Sequence, residues 1–233
     1  MESLVLFSGG LDSAVLLAQE AQTARVHPLY VSVGLAWEQA EQTMIARLLA
    51  ADVFQDRVAP LTAVEFTMRD VYSPAHWAIR GVPPAYDTPD EDVYLIGRNM
   101  VLLTKAGVLA ASRKIGRIAL GPLSGNPFPD ATPAFFLSMG RALSLGLDHP
   151  IEIVAPFASM HKDDVIRLGA RLGVPFEYTL SCMNPPRGEG EDVAVHCGLC
   201  SKCRERRDGF QAAGVADPTF YANRSPRPSS RPS

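Results

Sequence analysis

Long apolar runs are absent from this 233-residue chain, and their absence shapes the first expectations about where the protein works. A membrane-spanning helix needs about 20 consecutive, mostly apolar residues. No basic segment followed by an apolar one opens the sequence, so no secretory signal is indicated. The sequence therefore predicts a cytoplasmic protein with no membrane partner. Its composition, 47% hydrophobic and 20% charged, suits one substantial core.

An excess of positive charge is also absent, and cysteine is scarce. The formal net charge is −3 at pH 7, so a dedicated nucleic-acid surface is not indicated. The chain has only four cysteines, which all lie between Cys182 and Cys203. Disulfides are rare in the cytosol, so this clustering predicts one shared site rather than a disulfide framework.

Strand-like and helix-like segments alternate along most of the chain. Buried strands are predicted at Leu4–Phe7, Val26–Val33, Arg117–Leu120 and Ile151–Val154. Amphipathic helices are predicted near Asp12–Thr23, Glu38–Ala51, Arg98–Ile115, Pro133–Leu145 and Lys162–Leu172. Such alternation is typical of an α/β fold with a mostly parallel sheet.

Composition also divides the chain into regions. Residues 1–178 are predicted to form the main domain, with an irregular insertion at about 67–94 that is rich in proline and aromatic residues. Residues 179–221, which contain the cysteines, are predicted to form a small metal-binding segment. Residues 222–233, "ANRSPRPSSRPS", have too few apolar side chains to pack and are predicted to be a disordered tail.

The stretch "VLFSGGLDSAVLL" from Val5 to Leu17 leaves a strand through two glycines and places Asp12 and Ser13 at the start of a helix, where they are predicted to cap it. Glycine permits close approach of a ligand, and a helix start offers unpaired N–H groups to an anion. A plain strand-to-helix turn would also explain the glycines. The full string resembles the pyrophosphate loop of the ATP pyrophosphatases, and it lacks the Gly-Lys-Ser/Thr ending of a P-loop.

The four cysteines follow the spacing Cys182-x14-Cys197-x2-Cys200-x2-Cys203. Closely spaced Cys-x-x-Cys pairs allow thiolates to converge on one tetrahedral metal ion, which favours a structural zinc site. An iron–sulfur cluster is the alternative, because four thiolates suit either metal.

Five motifs in order carry a resemblance to a known family. They are "SGGLDS", "GRN" at Gly97–Asn99, "NPFPDATPAFF" at Asn126–Phe136, "HKDDVIRLG" at His161–Gly169 and "SCMNP…CGLCSKC". Together they resemble the 7-cyano-7-deazaguanine synthases over residues 4 to about 210. The resemblance implies a Rossmann-like parallel sheet of the adenine nucleotide alpha hydrolase (PP-loop) type with a C-terminal zinc knuckle. It also implies ATP-dependent, AMP-forming conversion of a 7-carboxy-7-deazaguanine and ammonia to the nitrile, in queuosine-type biosynthesis.

The resemblance assigns roles to residues of this chain. Phe7, Ser8, Gly9, Gly10, Leu11, Asp12 and Ser13 are expected to bind ATP together with Mg²⁺. Ser8, Asp12, Ser13 and Lys162 are expected to act in catalysis, although a solvated lysine at a helix start is also consistent with the sequence. Arg98, Asn99 and Asp130 are expected on the acceptor side, and Trp37 is expected there too, although it lies in a segment that departs from the family. A homodimer is a further expectation. Asp130 is also a candidate helix N-cap.

One segment departs from the family pattern. The synthases carry an Asp-Tyr-Gly-Gln-x-His-like segment after the second strand, where this chain has "SVGLAWEQAE" at Ser32–Glu41. Trp37 and Glu38 could therefore shape a different acceptor pocket. Three alternatives stay open: a ligase that adenylates another acceptor, a tRNA-thiolating enzyme with an iron–sulfur cluster, and a non-catalytic nucleotide-binding zinc module. The thiolating enzymes usually carry lysine where this loop has Leu11.

Overall fold

Five parallel β-strands form one sheet, and the computed structural model that shows it describes residues 2–186 and 194–224. The strands are β1 (Glu2–Leu6), β2 (Arg25–Ser32), β3 (Thr62–Glu65), β4 (Arg117–Ala119) and β5 (Glu152–Val154). Their order across the sheet is β3-β2-β1-β4-β5, and every neighbouring pair is parallel. The predicted α/β class with a parallel sheet is confirmed.

The central strand shows why this sequence forms a sheet with two covered faces. Leu4 and Val5 are both fully buried, and they belong to separate core clusters because successive side chains of a strand point to opposite faces. Parallel strands covered on both faces read as nearly continuous apolar runs. This is why β1, β2 and β4 were visible in the sequence. The fourth predicted strand, β5, is a partly exposed edge strand that was found from its short apolar run, whereas β3, the other edge strand, was not predicted.

Helices cover both faces of the sheet. They are α1 (Leu11–Glu20), α2 (Glu38–Leu49), α3 (Trp77–Arg80), α4 (Arg98–Ser112), α5 (Pro133–Leu147), α6 (Lys162–Leu172) and α7 (Ser201–Ala213). Buried side chains of α1 and α6 share one core cluster with Phe210 of α7. Buried side chains of α4 and α5 belong to the other cluster. None of the helices in the described part of the chain has the length and apolar character needed to cross a membrane.

The region between β3 and α4 contains only the short helix α3 and a 3₁₀ turn at Asp90–Val93. It packs on the cysteine segment, since Ala85 forms an isolated antiparallel bridge with Cys200. Helix α7 was not predicted, because its sequence "SKCRERRDGFQAA" is polar and carries a metal-ligand pattern in its first turn.

A second, two-stranded sheet pairs β6 (Val195–His196) with β7 (Phe220–Tyr221). Ala222 and Asn223, which the sequence assigned to the tail, are held against this segment. The Ala222 N–H donates to the His196 carbonyl at 2.8 Å, and the Asn223 amide donates to the Cys197 carbonyl at 2.8 Å. The rest of the predicted tail, residues 225–233, lies outside the described residues.

Candidate functional site

A cavity of about 360 Å³ opens at the carboxyl ends of β1, β2 and β4. The strand order changes direction between β1 and β4, and in open α/β sheets such a switch point is where ligands bind. Six of the seven predicted ATP-binding residues line the cavity: Phe7, Ser8, Gly10, Leu11, Asp12 and Ser13. Gly9 does not line it, but it shapes the loop that does.

The loop between β1 and α1 is held by close packing and by its own hydrogen bonds. Gly9 has φ of +75°, and a Cβ there would lie 2.8 Å from Cγ1 of Ile45, so a larger residue would be both strained and crowded. Ser8 Oγ accepts from the Gly10 N–H at 3.3 Å, and Ser13 Oγ donates to the Gly10 carbonyl at 3.0 Å. The loop is therefore organised before any ligand binds.

The predicted capping role of Asp12 and Ser13 is wrong. The N-cap of α1 is Gly10, and no side-chain hydrogen bond caps this helix. Ser13 bonds within the loop, and Asp12 bonds across the cavity wall to Lys162. The first N–H groups of α1 are consequently left free of capping side chains, which is the arrangement that binds phosphate groups in other proteins.

Lys162 stands between two carboxylates. Its Nζ donates to the two carboxylate oxygens of Asp12 at 2.8 and 2.6 Å, and it lies 2.7 Å from Oε1 of Glu205. Burial by itself lowers the pKa of Lys162, but the two carboxylates outweigh burial and raise the pKa above its ordinary value. Lys162 is therefore positively charged and paired, not the free solvated lysine that the sequence also allowed.

Glu205 in turn joins two lysines. Its second oxygen accepts from Lys202 Nζ at 2.6 Å, on the first turn of α7. Burial by itself raises the pKa of the Glu205 carboxyl, but the ammonium groups of Lys162 and Lys202 outweigh it and lower the pKa to about 2. Both Lys202 and Glu205 line the cavity, and neither was predicted as a site residue.

The opposite half of the cavity brings together Arg98, Asn99 and Asp130 as the sequence predicted. Asp130 Oδ2 accepts from the backbone N–H of Asn99 at 3.1 Å, and the Asn99 amide donates to the Asp130 carbonyl at 3.1 Å. Burial raises the pKa of Asp130 against these hydrogen bonds. Asp130 is not the N-cap of α5, because Thr132 fills that position and accepts from the Phe135 N–H at 3.2 Å.

Arg98 begins α4 and lines the same half of the cavity. Its Nε is buried and has no hydrogen-bond partner among the described residues. A buried donor without a partner is costly, so such groups in native structures call for an explanation such as a missing ligand. The unpaired Nε leaves Arg98 able to donate a hydrogen bond to an anionic group in the cavity.

Two aromatic pairs wall this half. Trp37 stacks on Trp77 with ring centroids 5.8 Å apart, and Tyr94 stacks on Phe128 with centroids 4.9 Å apart. All four rings line the cavity. Trp37, predicted from the sequence alone, thus acquires a partner from the insertion. Flat apolar walls of this kind suit a planar heterocycle.

Two buried glutamates of α2 have different environments. Glu38 accepts from Ser32 Oγ at 2.6 Å, the Val33 N–H at 2.9 Å and the Gly34 N–H at 3.1 Å, so it holds the β2–α2 loop and does not line the cavity. The expectation that Glu38 shapes the acceptor pocket directly is therefore wrong.

Glu41 does line the cavity, and the sequence analysis missed it. It accepts from the Tyr30 hydroxyl at 2.8 Å. Burial raises the pKa of Glu41 to about 7, against the opposing effect of the Arg98 charge. The sequence did contain a signal for Glu41: it lies three positions after Glu38 and therefore on the same face of helix α2.

The four cysteine sulfurs converge as predicted. All lie within 4.8 Å of one another, and the Sγ–Sγ distance is 4.0 Å for Cys182–Cys200, 3.9 Å for Cys197–Cys203 and 3.5 Å for Cys200–Cys203. Backbone N–H groups donate to two of the sulfurs at 3.2 to 3.3 Å. This buried four-sulfur group can hold a metal ion.

The cysteine segment is tied to the main domain by Arg206, a buried residue of α7. Its guanidinium donates to Thr219 Oγ1 at 2.6 Å, Thr179 Oγ1 at 2.8 Å, Ser181 Oγ at 3.1 Å and the Phe176 carbonyl at 2.8 Å. The Phe176 carbonyl lies in the main domain and the other three acceptors lie in the cysteine segment, so Arg206 joins the two.

Comparison with known proteins agrees with this geometry. Residues 2–214 match the family described as queuosine biosynthesis protein QueC. Curated relatives named 7-cyano-7-deazaguanine synthase include one from Anaeromyxobacter dehalogenans, 36% identical over 94% of this chain and 95% of that protein. Others come from Azoarcus sp. (34% identical; 95% and 97% covered) and Methanosphaerula palustris (32% identical; 95% and 99% covered).

Proposed function

Because the chain belongs to the queuosine biosynthesis protein QueC family, we propose that it is an ATP-dependent ligase that converts 7-carboxy-7-deazaguanine and ammonia to 7-cyano-7-deazaguanine. The observation that carries the proposal is one cavity with two unlike halves. One half has an organised phosphate loop beside paired charges, and the other has aromatic walls and Arg98, whose buried Nε has no hydrogen-bond partner among the described residues.

Two adenylations account for the chemistry. The carboxylate oxygen attacks the α-phosphorus of ATP, pyrophosphate leaves, and ammonia then displaces AMP to give the amide. The amide oxygen attacks a second ATP in the same way, and loss of AMP with the remaining amide protons gives the nitrile. Each step replaces a poor leaving group by AMP, so alignment of nucleophile and phosphorus is the main task of the protein.

On the ATP side, Ser8 to Ser13 and the open start of α1 hold the phosphates, and Mg²⁺ accompanies ATP as a counter-charge. Lys162 neutralises Asp12, so the loop carboxylate does not repel the departing pyrophosphate. Ser8, Asp12, Ser13 and Lys162 are therefore the proposed catalytic set. Their support is the network of loop hydrogen bonds and the short Lys162–Asp12 contact.

On the acceptor side, Arg98 is proposed to bind the substrate carboxylate, and Asn99 with Asp130 fixes the start of α4 that carries it. Trp37 is proposed to pack against the deazaguanine ring. The pyrimidine ring of a deazaguanine presents a ring N–H beside an amino group, and these two donors suit an ionised carboxylate. Because its pKa is about 7, Glu41 is only partly ionised at neutral pH, and hydrogen bonds from these two donors would favour its ionised form. Glu41 is proposed to accept them through the acceptor positions that Tyr30 does not use.

The four cysteines are proposed to hold structural zinc. Tetrahedral zinc with Zn–S bonds of about 2.3 Å places its sulfurs about 3.8 Å apart. Three of the six sulfur pairs here lie 3.5 to 4.0 Å apart, and all six lie within 4.8 Å. An iron–sulfur cluster contains several irons and needs a wider sulfur cage. This spacing also disfavours the tRNA-thiolating alternative, which was tied to such a cluster.

We further propose that residues 1–178 act as the ATP domain and residues 179–221 as the zinc segment, in a cytoplasmic homodimer whose partners are small molecules rather than nucleic acid. The small-molecule partners follow from the family and its small-molecule acceptor. Sedimentation with and without RNA tests both the assembly and the absence of nucleic-acid binding.

The deciding experiment incubates the protein with ATP, ammonium and 7-carboxy-7-deazaguanine, followed by mass spectrometry. The expected products are the amide, the nitrile, pyrophosphate and AMP, with two AMP for each nitrile. AMP formation only with another acid would favour the ligase with a different acceptor. ATP binding without any AMP would favour the non-catalytic nucleotide-binding module.

A further inference from the structure

Four charged side chains form a row along one wall of the cavity, and they come from three different helices. Asp12 belongs to α1, Lys162 to α6, and Glu205 and Lys202 to α7. Successive members of the row are 2.6, 2.7 and 2.6 Å apart at their closest nitrogen and oxygen atoms. All four line the cavity beside the phosphate loop. We call this set the charge row.

The charge row is balanced, and this limits what Lys162 can do. Two carboxylates, those of Asp12 and Glu205, contact the Lys162 ammonium group at 2.6 to 2.8 Å, so two negative charges already surround its one positive charge. A phosphate that approaches Lys162 therefore also approaches these two carboxylates. As it stands, this lysine neutralises the wall but does not supply net positive charge to a pyrophosphate.

Lys202 is the member of the charge row that can still donate a hydrogen bond to a ligand. It has one short ion pair, to Glu205, and a second one to Asp90 at the limit of 4.0 Å. Its side chain is 32% exposed, compared with 18% for Lys162. At least one of its donors can therefore turn toward a ligand in the cavity while the Glu205 contact is kept.

The stability of α7 does not explain Lys202. A positive charge in the first turn of a helix opposes the helix dipole, and a Lys three residues before a Glu is the less favourable order for a helical ion pair. Lys202 also lies between two of the predicted metal ligands, Cys200 and Cys203, and Cys200 is the N-cap of α7. The position of its backbone is thus set by the metal group.

We propose that Lys202 is a second cation for the triphosphate of ATP, and that Glu205 is a positioning residue that aligns Lys202 and Lys162 along the phosphate loop. This proposal rests on the proposed function, since it assumes that the loop binds ATP. The cysteine segment then acts in the reaction as well as in folding, because it carries the lysine that contacts the departing pyrophosphate.

The first test compares Lys202→Met with Arg204→Met. Arg204 carries the same charge on the same helix, but it donates to the Thr88 carbonyl at 3.2 Å and does not line the cavity. Loss of one charge-assisted contact predicts that Lys202→Met raises the KM for ATP and the inhibition constant of pyrophosphate about ten- to hundred-fold. Arg204→Met should leave both within about two-fold of the parent, and Lys202→Arg should restore both.

The second test addresses Glu205. Glu205→Gln removes a negative charge, so it should not weaken pyrophosphate binding, but misaligned lysines should lower kcat about ten-fold. The melting temperature and the metal content are measured on the same samples. If Glu205 had only a structural role, its replacement would change one of these two quantities and would not lower kcat while leaving pyrophosphate binding unchanged. Unchanged kcat in Glu205→Gln would refute the positioning role.

Pyrophosphate binding is also measured directly by calorimetry, which needs no acceptor. Equal affinities for the parent and Lys202→Met would overturn the proposal, whatever the turnover results. If the parent fails to use the deazaguanine acid but Lys202→Met still binds pyrophosphate ten-fold or more weakly, the acceptor assignment fails and the role of Lys202 stands.

Discussion

Replacement of Lys162 by Met removes the one cation that separates two carboxylates. In the native protein its Nζ lies 2.6 Å from Asp12 and 2.7 Å from Glu205, so the facing oxygens are at most about 5 Å apart. Methionine fills much of the same volume but leaves the two negative charges facing each other. The variant Lys162→Met should therefore lose both stability and activity, for separable reasons.

The size of the stability effect follows from this distance. Two unit charges about 5 Å apart repel by about 3 kcal/mol at an effective dielectric constant of about 20. The side chains of Asp12 and Glu205 are 29% and 25% exposed, so solvent screening reduces the net loss in unfolding free energy to about 2 kcal/mol. This loss is measured at pH 7.

The assay is chemical denaturation combined with AMP formation. The double variant Lys162→Met, Glu205→Gln removes one of the facing charges, so it should recover most of the lost stability. It should not recover activity, because Asp12 still lacks its partner beside the pyrophosphate. A double variant as unstable as the single one would refute the electrostatic reasoning, and full activity of Lys162→Met would refute its catalytic assignment.

Three further outcomes are expected. Arg98→Ala should raise the KM for the deazaguanine acid by about two orders of magnitude and leave the KM for ATP unchanged, because it removes a charged partner from a desolvated carboxylate; a larger effect on ATP would place the anion site elsewhere. The parent should show a kcat/KM about ten-fold or more higher for the deazaguanine acid than for the analogue without its amino group. Glu41→Gln should abolish that preference, whereas the control Glu20→Gln, which changes a buried glutamate outside the cavity, should keep it. An unchanged preference in Glu41→Gln would count against the role of Glu41. Metal analysis should find about one zinc per chain and no visible absorption, whereas brown protein with iron and sulfide would reverse the metal assignment.

Local patterns in the sequence were sufficient for much of this protein. Four strands, five helices, the glycine loop and the cysteine spacing each depend on residues close together in the chain, where hydrophobic periodicity and backbone preference decide the outcome. The family motifs likewise identified Arg98, Asn99 and Asp130, which the structure brings together. Edge strand β3 and polar helix α7 were missed, because their stability comes from what they pack against.

Only the tertiary structure determined which side chains of the site contact one another. Asp12 and Lys162 are 150 positions apart in the chain, and no local pattern indicates that they pair or that Glu205 completes the pair. The same holds for Trp77 against Trp37 and for the orientation of Glu41 toward the cavity. A side chain's charge is set by its own residue type, but its partners are set by how distant helices meet at the carboxyl edge of the sheet. Residue types therefore predicted which groups are available, and packing determined which of them are neutralised, which are free and which face the ligand.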